Sequence, residues 1–169
     1  MRLVMWYNTV MNHNAILTEQ ARELSQGCHP LSAICNILSL VYWSDETINW
    51  AGLYLRDGDQ LYLGPFMGKP ACTSIPLGTG VVGTCARKQE ALLVADVHAF
   101  AGHIACDSDS RSEAVFPLME DGTCIAVLDI DCLETDGISG GEFESFQDIA
   151  GLLEPLLCQL RQQTLPFSA

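Results

Sequence analysis

The chain is short of positive charge, of long apolar runs and of paired cysteine motifs, and each shortage removes a class of function. Eight Lys and Arg stand against twenty-one Asp and Glu in 169 residues, a formal net charge of -13. Such a field repels phosphate backbones and anionic headgroups, so nucleic acid and membrane surfaces are excluded as expected partners, while a small zwitterionic or cationic ligand is compatible. The longest apolar stretch, Leu31 to Trp43, is interrupted by Ser32, Asn36 and Ser39. It falls short of the roughly 20 residues that a membrane span needs. Asn8, Asn12, His13 and Asn14 break up any signal-peptide core behind Arg2, so a cytosolic (cytoplasmic) chain is expected. There is no C-x-x-C, and Cys28-His29 with Cys35 lacks the spacing of structural zinc ligands, so no metal is expected. In such a compartment the eight cysteines do not read as a disulfide framework, and most are expected to be small buried hydrophobes.

What is present describes one folded domain. Apolar residues make up 49% of the chain and charged residues 17%, the balance of a packed globule. Residues 1–13 show no period and read as an N-terminal arm, with the domain over 14–169. A helix is expected over about 15–26, stopped by Gly27. A second begins at Pro30 and carries Leu31, Ile34, Cys35, Leu38, Val41 and Tyr42 at helical spacing, which predicts one buried face. The period then changes to two. Ile48 to Leu55 and Gln60 to Phe66 read as strands joined by a tight turn at Arg56-Asp57-Gly58-Asp59. A short helix near 79–88 and a short strand at Ala91 to Val94 precede a long loop, Ala95 to Ser112. Glu113 to Met119 and Cys124 to Asp131 form a second hairpin, turning at Asp121-Gly122. An amphipathic helix of about 142–161 closes the chain, with Pro155 expected to kink it. The pattern is α+β, a central mostly antiparallel sheet flanked by helices.

Four constellations can carry chemistry. Gly78-Thr79-Gly80-Val81-Val82-Gly83 matches G-x-G-x-x-G, but Pro76 spoils a preceding strand and Thr84 to Gln89 allows only about two turns. A dinucleotide site needs both, so this is a tight turn feeding a short helix. In Ile48 to Leu55, alternation puts Ile48, Trp50, Gly52 and Tyr54 on one face, where two aromatics around a glycine form a slot or simply pack. Asp129 and Asp131 share a strand face with Ile125 and Val127, a crowding relieved by a cation, a shared proton or solvent. Cys106 sits in the long loop with Glu113 seven residues on. A reactive thiolate needs exposure and a cation, for which His98, His103 and Arg111 are available.

Ile48-Asn49-Trp50-Ala51-Gly52-Leu53-Tyr54, Leu63-Gly64-Pro65-Phe66, Gly68-Lys69-Pro70-Ala71-Cys72, Gly102-His103-Ile104-Ala105-Cys106-Asp107, Ser112-Glu113 and Leu128-Asp129-Ile130-Asp131 together resemble the free methionine-R-sulfoxide reductase family, in the same order. The resemblance runs from about Ile48 to Leu160. It implies a single GAF domain with no bound cofactor, reducing free methionine-R-sulfoxide. Cys106 matches the family's catalytic cysteine and Cys72 its resolving cysteine. Trp50, Tyr54, Ile104 and Ala105 match the substrate pocket, as do Glu113, Asp129 and Asp131, any of which can be the acid. The implied cycle passes through a Cys106 sulfenic acid and a disulfide with Cys72, which thioredoxin reduces; a homodimer is also implied. Members of the family often carry a third cysteine where this chain has Val82. Cys85, one helical turn on, is either an auxiliary thiol or a buried one. The alternative reading is a non-catalytic GAF module that senses a small molecule or redox state.

Overall fold

The computed structural model describes residues 13–102 and 107–163. Two helices come first, α1 (His13–Leu24) and α2 (Pro30–Tyr42). Gly27 takes φ +71° between them, a left-handed turn that suits glycine. The side chain of His29 accepts a hydrogen bond from the Leu31 amide, and Pro30 supplies a preset φ for the first helical turn of α2. Pro30, Ala33, Ile34, Ile37, Leu38 and Val41 are buried. Cys35, expected on that face, is exposed instead, because Ala33 and Ile37 fill the stripe beside Ile34 and Leu38.

Strands β1 (Ile48–Asp57) and β2 (Gln60–Gly68) form the first hairpin, closing at the Asp57–Gln60 pair with Gly58 at φ +58°. The chain continues through β3 (Ser74–Pro76), α3 (Gly80–Lys88) and β4 (Leu92–Val94), then a 3₁₀ turn at Val97–Ala99. The second hairpin is β5 (Ser112–Glu120) and β6 (Thr123–Cys132), and α4 (Gly140–Gln162) ends the fold. Asp121 and Gly122 both have positive φ, +50° and +76°, as a two-residue turn between right-twisted strands requires. Ser139 and Glu142 form a reciprocal capping box at the start of α4, and the helix runs on through Pro155.

The six strands form one sheet in the order β3-β2-β1-β6-β5-β4, every neighbouring pair antiparallel. One face packs Leu53, Phe116, Leu128 and Ile130 against α1, α2 and α4 through Leu17, Ile34, Leu38, Phe146 and Leu153. The opposite face carries a smaller cluster, Trp50, Tyr54, Leu61, Val115 and Val127, covered by Val81, Val82 and Cys85 of α3. Strand β3 was hidden by Pro76, which pairs with Gln60 at the sheet edge, the one part of a sheet where a missing N–H is harmless.

Two register shifts alter the faces read from simple alternation. Ile48 pairs with Cys132 and Trp50 with Asp131, so Asn49 is the extra residue of a bulge. Ile48 therefore packs into the larger cluster while Trp50 and Tyr54 belong to the smaller one. Leu118 pairs with Ala126 and Met119 with Cys124, which sets Ile125 off the line of Val127, Asp129 and Asp131 and against the larger cluster.

Candidate functional site

The smaller cluster stops short of the β1–β6–β5 ends, and a cavity opens there. Tyr54, Ile75, Thr79, Gly80, Val81, Val82, Asp107, Ser110, Glu113, Asp129 and Asp131 line it, around about 390 Å³ of empty space that includes its mouth. Sheet register explains the gathering. Glu113 of β5 lies opposite Asp131 of β6, and Asp131 lies opposite Trp50 of β1 on its other side.

Glu113, Asp129 and Asp131 each bring a carboxylate oxygen within 4.8 Å of the others. Glu113 and Asp129 are only 5% and 6% exposed, and Asp131 keeps partial contact with solvent. Burial, then the neighbouring Asp129 and Asp131, lifts Glu113 well above the ordinary carboxyl range. Burial, then Asp131, lifts Asp129 likewise. Asp131 is pushed up to about 7 by burial first and Asp107 second, with a hydrogen bond to Ser110 opposing. Glu113 and Asp129 are hydrogen-bonded to each other, a contact that two carboxyls make by sharing a proton. Asp129 Oδ1 is buried with no partner, an acceptor left for a guest in the cavity. Holding protons relieves such crowding, and a carboxyl raised in this way can act as a general acid.

The aromatic residues form a stack behind this wall. Trp50 is 2% exposed and lies parallel to Phe66 at 5.5 Å and to Tyr54 at 5.9 Å between ring centroids. A Cβ on Gly52 would come within 2.4 Å of Trp50 Cη2 and 2.5 Å of Phe66 Cβ. The slot expected over that glycine is thus filled by the indole of Trp50 itself. Tyr54 reaches the cavity, Trp50 does not line it. The Trp50 Nε1–H donates to the Lys69 carbonyl at 3.2 Å and the Tyr54 hydroxyl to the Cys72 carbonyl at 3.0 Å, anchoring the β2–β3 loop to the stack. Burial first, then Asp129, Asp131 and Glu113, holds the Tyr54 phenol well above its ordinary range.

Cys72 is disulfide-bonded, while Cys28, Cys35, Cys85, Cys124, Cys132 and Cys158 are free thiols. Ile104, Ala105 and Cys106 lie outside the described residues, as does His103. Cys85 is fully buried beside the cavity wall, its thiol pushed far up by burial and then by Cys124, Asp129 and Glu113. Val82 faces the cavity. Arg111 Nη1 contacts His98 Nε2 at 3.0 Å on the surface. The cation that meets the loop acids is Lys69, 2.5 Å from Asp109 and 3.3 Å from Asp107, a residue that sequence reasoning passed over as part of Gly68-Lys69-Pro70.

The glycines of the G-x-G-x-x-G run serve packing. Gly83 has no room for a Cβ, which would lie 2.5 Å from the Pro76 carbonyl, and the Gly78 amide bonds to the Gly83 carbonyl at 2.7 Å. They seat α3 against β3, so its first turn forms a cavity wall.

A GAF domain model matches residues 16–155. Free methionine-R-sulfoxide reductase of Escherichia coli is 42% identical over 75% of this chain and 77% of its own length. Free methionine-R-sulfoxide reductase of Saccharomyces cerevisiae is 37% identical over 87% of this chain and 88% of its own. Among solved structures, that of free methionine-R-sulfoxide reductase from Neisseria meningitidis in complex with its substrate superimposes with a TM-score of 0.80 at 34% identity, covering 89% of this chain and 90% of that one. The chain belongs to the free methionine-R-sulfoxide reductase family of GAF-domain proteins.

Proposed function

We propose that this protein reduces free methionine-R-sulfoxide to methionine in the cavity above the β1–β6–β5 strand ends. The observation that carries the reading is the trio Glu113, Asp129 and Asp131, with Glu113 and Asp129 buried, their carboxylate oxygens within 4.8 Å of one another and all three raised above the ordinary carboxyl range. A sulfoxide sulfur becomes electrophilic when its oxygen is protonated or strongly hydrogen-bonded, and a carboxylic acid of raised pKa supplies that proton. The remaining carboxylate, with the unpartnered Asp129 Oδ1, suits the ammonium of a free amino acid. Thr79 makes no side-chain cap on α3, so the first-turn amides at the cavity wall suit its carboxylate.

In the proposed cycle the Cys106 thiolate attacks the sulfoxide sulfur. The S–O oxygen passes to cysteine, methionine leaves as the reduced thioether, and Cys106 becomes a sulfenic acid. The Cys72 thiol then displaces water from that sulfenic acid and forms a disulfide, and thioredoxin dithiol returns both cysteines to thiols by exchange. Support for Cys72 comes from its disulfide-bonded state and from its carbonyl, bonded to Tyr54 of the cavity wall. Cys85, buried and held neutral, takes no step in this cycle. A homodimer and a cytoplasmic setting complete the proposal; no described helix is long and apolar enough to cross a membrane.

The test is thioredoxin-coupled NADPH oxidation with free methionine-R-sulfoxide, its S epimer and a peptide-bound sulfoxide, using wild type and Cys106→Ser. Turnover of the free R epimer alone, abolished in the variant, is expected. No turnover by a folded, reduced protein would overturn the reading. Reversible Cys72 oxidation by peroxide without turnover would replace it with a redox sensor.

A further inference from the structure

Asp107 stands at the wall of the same cavity, and the proposed chemistry gives it no part. Three neighbours converge on its carboxylate. The Asp109 amide donates to Oδ1 at 3.0 Å, Asn49 Nδ2 donates to Oδ2 at 3.4 Å, and Lys69 Nζ lies 3.3 Å from Oδ2. Asn49 is the bulge residue of β1, and the bulge is what turns its amide toward this loop. The same Nδ2 donates to Ser110 Oγ at 3.0 Å, and Ser110, 3% exposed, is hydrogen-bonded to Asp131. Lys69 is tied down in turn through its carbonyl, which accepts from Trp50 Nε1. One clamp, built from the β1 bulge and the end of β2, therefore holds Asp107, Ser110 and Asp131 together.

We propose that Asp107 is a positioning residue of this site, clamped by Asn49 and Lys69 so that its negative charge stands beside Asp131 in the cavity. Of the four carboxyls lining the cavity, Asp107 alone is held below its ordinary range, by the Asp109 amide first and then Lys69 and Asn49. It is the second cause, after burial, of the raised Asp131. Among the described residues, the other ionisable groups lining the cavity with Asp131 are Glu113 of β5, Asp129 of β6 and Tyr54 of β1; α3 and the residue before it present Thr79, Gly80, Val81 and Val82, none of them charged. An anion kept charged beside a carboxyl keeps that carboxyl protonated at higher pH, and the cation beside the anion moderates the effect. Asp107 and Lys69 thus act on Asp131 with opposite signs.

The activity readout of this inference rests on the reductase reading, but its titration readout does not. The experiment follows the Asp131 carboxyl by ¹³C NMR titration of the reduced protein in wild type, Asp107→Asn, Lys69→Ala and Lys69→Arg, with the pH profile of kcat/KM beside it. Asp107→Asn, which keeps the shape of the side chain, is expected to lower the Asp131 midpoint by about one unit. Lys69→Ala is expected to raise it by a few tenths, less because the side chain is 59% exposed and screened by salt, and Lys69→Arg restores it. The two shifts of opposite sign are what a merely structural loop contact would not produce. An Asp131 midpoint in Asp107→Asn within about 0.3 unit of wild type overturns the proposal whatever the activity. Should Asp107→Asn fail to fold, a Lys69→Ala midpoint that falls or stays put overturns it. Opposite shifts in a protein without sulfoxide turnover uphold the clamp and remove the reductase reading.

Discussion

Replacing Asp131 with asparagine is expected to make the fold more stable at pH 8 and to change it little at pH 4. In the folded protein burial and then Asp107 push the Asp131 carboxyl from an ordinary 3.8 up to about 7. Between those values the unfolded chain has released the proton and the folded chain still holds it. The cost to folding is absent below the lower value, grows through the interval and is complete above the upper one. At 1.36 kcal/mol per unit the full span is on the order of 4 kcal/mol, an upper figure because Asp131 keeps some solvent contact. Asparagine has nearly the same shape, still meets the Ser110 hydroxyl, and does not titrate. The gain at pH 8 is expected to be about 2–4 kcal/mol, or roughly 4–16 °C in Tm for a chain of this size. At pH 4 it falls below about 1 kcal/mol. Urea unfolding followed by tryptophan fluorescence measures it, with the thiol–disulfide state fixed so that one equilibrium is compared. An equal gain at both pH values would show that packing, not charge, had changed. No gain at pH 8 would refute the raised carboxyl altogether. The same variant is expected to lose at least about tenfold in kcat/KM, the loss of an acid or of an ammonium partner.

Three further substitutions separate parts of the site. Gly52→Ala drives a methyl into Trp50 and Phe66 Cβ, a backbone-proximal atom that cannot swing aside, and is expected to cost about 1–3 kcal/mol by thermal unfolding with a weakened KM. A wild-type Tm would mean that the indole does not lie over the glycine. Tyr54→Phe removes the hydroxyl bond to the Cys72 carbonyl. It is expected to cost about 0.5–1.5 kcal/mol and to slow disulfide formation after a single turnover, measured by quenched-flow thiol trapping; unchanged trapping rates would detach Tyr54 from the resolving loop. Cys85→Ala is expected to leave turnover with thioredoxin unaltered while lowering Tm by a few degrees through lost packing; loss of turnover at an unchanged Tm would restore Cys85 to the cycle.

Most of the fold was legible in the sequence because its signals are local. Period-two patterning marked both hairpins, and Asp121-Gly122 adopts the paired positive φ that its composition suggests. The start of α4 was drawn from apolar spacing at about 142, two residues late, because the Ser139–Glu142 capping box that sets it at Gly140 was not read from the sequence. Strand faces were legible only as far as alternation holds. Trp50 with Tyr54, and Asp129 with Asp131, share faces as read, whereas Ile48 and Ile125 do not, because each lies across a bulge from them. A bulge depends on what the neighbouring strand offers, and one strand's residues do not announce it. Lys69 was missed for the same reason: its partners, Asp107 and Asp109, are about forty positions away in the chain. The exposed Cys35 shows the limit of apolar spacing on a helix, where a small thiol is interchangeable with polar residues at the stripe's edge.

The bulge at Asn49 ties these strands of argument together. A regular β1 would put Asn49 on the face opposite Trp50, among the aliphatic side chains beneath α2 and α4. Inserting one residue turns Ile48 to that aliphatic face and frees the Asn49 amide for Asp107 and Ser110. The irregularity therefore joins the acids on β5 and β6 to the loop preceding β5 through the strand that also supplies Tyr54 to the cavity. A pocket of three buried carboxyls is costly to keep, since each lowers stability when ionised. A fold selected only for stability would replace one of them with an apolar residue, as the neighbouring Val115 and Val127 show is compatible with this face. That the acids stay, with a bulge, a lysine and a serine arranged to fix the charge beside them, is the reason to read the pocket as a site for proton-dependent chemistry on a small zwitterion.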